Sequence, residues 1–190
     1  MKKEFTISVF TENHVGLLHR VTIIFTRRGI NIESITVSES ELKGVHRFTI
    51  VVTEKEEQIK KVVLQIEKQI EVLRAFYYPN DKIVYQEIAL YKLPIHVLSN
   101  GIRMEEIIRD NNARILSVEQ DFIVIEKTGH KEETQALFDL FEPHGILEFV
   151  RSGRVAISNS PQRFKDYLEA PELGTRITDE EVREIAGNIN

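Results

Sequence analysis

Between residues 4 and 28 the hydrophobic period changes once, from two to 3.6. Phe5, Ile7 and Val9 alternate with Glu4, Thr6 and Ser8, as in a strand with one buried face. Leu17, Leu18, Val21, Ile24 and Phe25 then recur at helical spacing. The pattern predicts a strand over 4–10 feeding a helix over 15–28, with Asn13 placed as N-cap. A helix entered this way leaves its first amide hydrogens unpaired. Those amides and the positive end of the helix dipole attract an anion such as a carboxylate. Gly16 has no Cβ, so a ligand can approach the backbone there, and Gly29 ends the helix in the C′ manner. The same residues also suit a plain capped helix with a packing glycine, and the pattern alone does not choose between the two.

The remaining periodicities set the topology. Residues 30–38 read as a strand whose apolar phase switches between Ile32 and Ile35, which predicts a bulge or bend. Turn residues at 39–44 lead into a strand over 45–52, with His46, Phe48, Ile50 and Val52 on one face. Thr53-Glu54-Lys55-Glu56 has the form of a capping box, and Ile59, Val62, Val63, Ile66 and Ile70 mark the apolar face of a second helix. A strand over 71–78 closes the unit. This is the βαββαβ order of the ferredoxin-like plait. The order repeats: a strand over 83–93, a helix around Met104, Ile107 and Ile108, and a hairpin around Glu119-Gln120-Asp121. A helix through Leu137, Phe138, Leu140 and Phe141 and a last strand over 146–157, interrupted at Ser152-Gly153, complete it. The expected fold is α+β, two tandem ferredoxin-like domains over 1–79 and 80–158, and a tail over 159–190. In that tail Phe164, Tyr167 and Leu168 suggest one short helix, and a capping box from Thr178 suggests a second.

Charge and residue type narrow the function. The net charge of −5 argues against nucleic acid as a partner. The absence of cysteine excludes disulfides and thiolate metal sites and fits a cytoplasmic protein. No apolar run approaches membrane length. His14, His19, His46, His96, His130 and His144 form no ligand-spaced pair, so no metal site is expected. Neither a glycine-rich phosphate loop nor a nucleophile elbow is present. These residues describe a sensor rather than a catalyst; a small enzyme on this fold remains the competing class.

Glu12-Asn13-His14-Val15-Gly16-Leu17-Leu18-His19-Arg20-Val21, followed by Arg27-Arg28-Gly29-Ile30-Asn31-Ile32-Glu33-Ser34-Ile35, resembles the regulatory small subunit of acetolactate (acetohydroxyacid) synthase. The first domain resembles the ACT domain, an amino-acid-sensing module, and Val150-Arg151-Ser152-Gly153 resembles the last strand of the same family. The resemblance implies a homodimer in which two ACT domains pair and bind valine or another branched-chain amino acid between them. It implies effector contacts at Asn13, Val15, Gly16 and Leu17 from one chain and at Asn31 and Ile32 from the other. It further implies a separate large catalytic subunit carrying thiamine diphosphate, magnesium and FAD, with no cofactor on this chain. An ACT-type regulator of another enzyme, or of transcription, is the alternative. Val15 and Leu17 depart from the family, which usually has a small residue before the glycine and often alanine or valine after it. If the larger Leu17 side chain narrows the pocket relative to the family, valine is expected to be favoured over isoleucine.

Overall fold

Strand β1 runs over Lys3–Glu12 and helix α1 over Leu17–Arg27. Strands β2 (Ser34–Glu39) and β3 (Val45–Glu54) follow, then α2 (Glu56–Glu67) and β4 (Val72–Pro79). The second series is β5 (Ile83–Pro94), α3 (Ile102–Asp110), β6 (Arg114–Val118), β7 (Phe122–Gly129), α4 (Lys131–Phe141), β8 (Glu148–Arg151) and β9 (Val155–Ser158). This computed structural model describes residues 1–100 and 102–161. Gly101 and the helices expected in the tail lie outside the described residues.

The first sheet has the order β2-β3-β1-β4 and the second β6-β7-β5-β8, with β9 also pairing with β5. The two orders are the same when each series is counted from its first strand, and the ladders are antiparallel. The α+β, twice βαββαβ reading therefore holds. The chain divides into two compact units, Met1–Val84 with the described residues from Ala156 onward, and Tyr85–Val155.

In the first unit the period-two face of β1 (Phe5, Ile7, Val9) meets Phe48, Ile50 and Val52 of β3. Leu17, Val21, Ile24 and Phe25 of α1 and Ile59, Val62, Val63 and Ile66 of α2 cover it. Each such side chain, fully buried, contributes roughly 1.5–3 kcal/mol. The opposite sheet face is closed as well: Thr6, Ser8, Phe10, Thr49, Val51, Phe76 and Tyr78 are all buried. There Arg47 donates to Ser8 Oγ at 3.0 Å and to the Ala156 carbonyl at 2.6 Å, and burial lowers its pKa.

Several local expectations need correction. Of the bulge or bend expected between Ile32 and Ile35, the structure has the bend, at Glu33: β2 begins at Ser34 and pairs with β3 in unbroken register. Ile30 and Ile32 belong to the connection, tied on by the Glu33 amide donating to the Val51 carbonyl at 2.8 Å. The capping box before α2 does not form, because Thr53 and Glu54 remain in β3, paired with Glu4 and Lys3, and Lys55 becomes the N-cap. Ile70 lies past the end of α2 and is 96% exposed. The interruption at Ser152-Gly153 is real and separates β8 from β9.

Candidate functional site

Two glycines fix the ends of α1. Gly16 is the N-cap, with φ 82 and ψ −2, so the helix cannot begin before Leu17. Asn13 is therefore not the N-cap, and no side chain caps this end. The chain turns twice instead: the His14 amide donates to the Glu12 carbonyl at 3.1 Å and the Leu17 amide to the His14 carbonyl at 3.3 Å. The first helical bond runs from the Arg20 amide to the Gly16 carbonyl at 3.1 Å. The amides of Val15, Gly16, Leu18 and His19 find no backbone acceptor among the described residues. A Cβ built on Gly16 would meet nothing within 4 Å, so the space over this cap is open. At the other end Gly29, φ 65, forms a Schellman cap: its amide reaches Thr26, and the Ile30 amide reaches Phe25, both at 3.0 Å.

Charged groups brace the loop from one side. Arg20 Nη2 lies 2.7 Å from Glu71 Oε1, and the Glu71 carbonyl accepts the Glu12 amide at 2.9 Å. The Arg20 hydrogen bond and Glu71's own amide hold the Glu71 carboxyl below the usual carboxylate range. The second carboxylate oxygen of Glu71 is buried and has no hydrogen-bond partner among the described residues. Sequence reasoning assigned neither residue a role. The available signal was topological, since β4 runs antiparallel to β1 and must begin beside the end of β1, which brings residue 71 to the loop.

The candidate site residues fall into two groups. Asn13, Val15, Gly16 and Leu17 sit at the start of α1, and Asn31 and Ile32 follow its far end. Eleven helical residues separate the groups by roughly 16 Å, so one chain does not bring them together. Asn13 and Val15 are exposed, Val15 fully so at 103%. Leu17 is 2% exposed and packed in the core, which corrects the expectation that its side chain narrows a pocket: only its backbone faces the loop. Asn31 is exposed and donates to Glu33 Oε1 at 3.3 Å, while Ile32 is half-buried against the core. Among the described residues no three His, Asp or Glu side chains converge to hold a metal, and no helix is long and apolar enough to cross a membrane.

Comparison with known proteins identifies the family. Residues 7–74 match the family model of the AHAS small subunit-like ACT domain. Residues 86–160 match that of the small subunit of acetolactate synthase. The acetolactate synthase small subunit of Bacillus subtilis (strain 168) is 38% identical over 164 residues, 86% of this chain and 94% of its own. The probable small subunit of Archaeoglobus fulgidus is 36% identical over 152 residues, 80% of this chain and 94% of its own. Among solved structures, the acetolactate synthase small subunit from Thermotoga maritima superposes with a TM-score of 0.74 at 28% identity, over 84% of this chain and 99% of that one. The chain therefore belongs to the acetolactate synthase small subunit family.

Proposed function

We propose that this chain is the non-catalytic regulatory subunit of acetolactate synthase. It activates a separate large catalytic subunit and makes that subunit sensitive to valine or a related branched-chain amino acid. The observation that carries the reading is the open, left-handed Gly16 cap with its unpaired amides. That arrangement suits the carboxylate of an α-amino acid, which gains about 0.3–2 kcal/mol at a helix start. Each methylene buried adds about 0.8 kcal/mol, so the sum is that of a weak metabolite sensor.

The division of the candidate residues between the two ends of α1 supports a site made by two chains. In a homodimer paired through the first unit, Asn13, Val15, Gly16 and the Leu17 backbone come from one protomer, and Asn31 and Ile32 from its partner. Thiamine diphosphate, magnesium and FAD belong, in this reading, to the catalytic subunit, and the cytoplasm is the compartment for both. Valine shifts the complex only as far as it binds the inhibited arrangement better than the active one. The test is an amide-resolved NMR titration of the protein with valine. Saturable shifts at Val15, Gly16 and Leu18 and at Asn31 and Ile32 are expected, and shifts absent from both loops would refute the site.

A further inference from the structure

Where β1 and β4 meet beside the Gly16 loop, their ladder slips by one residue. Phe10 stands opposite Arg74 but Thr11 opposite Val72, so Leu73 is an extra residue on β4. The corresponding ladder of the second unit, β5 with β8, keeps its register from Ala89↔Arg151 to Lys92↔Glu148. The slip is therefore a feature of the first sheet and not a requirement of the shared topology. Without it Val72 would stand opposite Glu12; with it Glu71 takes that place, and a carboxylate replaces an apolar side chain there. The Glu71 carbonyl accepts the Glu12 amide at 2.9 Å, and its carboxylate lies 2.7 Å from Arg20. Arg20 is itself tied to the loop, because its amide donates to the Gly16 carbonyl at 3.1 Å. These contacts form a closed circuit, Glu12 to Glu71 to Arg20 to Gly16, which fixes both ends of residues 12–16 at once. We infer that the Glu71–Arg20 pair positions this loop for the effector, holding the Gly16 cap in the form that presents its free amides. The inference rests on the effector site proposed above and adds two residues that touch the loop from behind rather than the ligand. The second Glu71 oxygen is buried and has no hydrogen-bond partner among the described residues. Removing Arg20 therefore strips a mostly buried carboxylate of its counter-charge and opens the circuit.

The test is a valine titration of the full-length protein, followed through its amide resonances, for wild type, Glu71→Gln, Arg20→Met and the double variant. Glu54→Gln is the control. It breaks an ion pair of the same 2.7 Å length, with a carboxylate of similar exposure (13% against 16%), at the other end of β1. The expected Kd for valine rises about tenfold in each single variant and hardly further in the double one, because the pair acts as a unit. Glu54→Gln is expected to bind as wild type does. In the ligand-free protein, Glu71→Gln should speed hydrogen exchange at the Glu12 and Arg20 amides and leave that of β3 unchanged, a local release that a general loss of stability does not produce. If Glu71→Gln does not fold, Arg20→Lys carries the test: it keeps the charge, loses the planar fork and should weaken valine about threefold. A wild type that binds no valine refutes the effector site and this inference with it. Wild-type binding that all the ion-pair variants match within about twofold overturns the inference and leaves the site standing. Additive losses in the double variant, or an equal loss in Glu54→Gln, overturn it in the same way.

Discussion

At Gly16 two demands meet, a positive φ and open space above the backbone. Asp tolerates the left-handed region better than most residues, but any side chain there costs roughly 1–2 kcal/mol. Gly16→Asp also puts a negative charge at the position proposed for the effector carboxylate. Inhibition by valine is expected to fall about tenfold or more, with activation of the catalytic subunit retained. Gly16→Asn carries the same backbone strain without the charge and should retain most of the response, as dose–response curves on the reconstituted enzyme will show. Leu17 separates packing from recognition. Its side chain is in the core, so Leu17→Ala is expected to destabilise the first unit by about 2–5 kcal/mol in denaturant unfolding. The ratio of valine to isoleucine inhibition should stay unchanged, since the side chain does not face the loop.

At the scale of elements, the strands and helices were legible because period two and period 3.6 rarely coincide over ten residues. Their ends were not. Asn13 looked like a cap because side-chain chemistry is visible in a sequence, whereas the φ of Gly16 is a product of the fold. Likewise Thr53 to Glu56 carried capping residues, but ladder pairing with β1 kept the strand going. Tyr91 shows how one side chain locks two elements. It is fully buried on β5, and its hydroxyl donates to the Thr134 carbonyl of α4 at 2.6 Å. Burial pushes its pKa from 10.0 up to about 12. The folded state therefore holds the phenol proton more tightly than the unfolded chain does. That stabilisation is complete below pH 10 and drains away as the pH rises to 12, by up to about 3 kcal/mol. Tyr91→Phe should lose about 1 kcal/mol at neutral pH from the missing hydrogen bond. It should also show a flatter decline than the wild type when unfolding is measured across that alkaline range.

For the whole molecule, the repeated βαββαβ order was readable from periodicity, and the family from the run around Gly16 and Gly29. What a single chain could not disclose is how the two groups of candidate residues meet. α1 holds them roughly 16 Å apart, and in the proposed dimer Asn31 and Ile32 of one protomer meet Gly16 of the other. The proposed output of this protein is a shift in the activity of another subunit. Pyruvate turnover by the catalytic subunit, titrated with this protein in the presence and absence of valine, tests that claim most directly. The account predicts no turnover by this chain alone, a saturable rise in turnover as it is added, and a fall when valine follows. Turnover that neither rises with the added protein nor becomes sensitive to any branched-chain amino acid would contradict it.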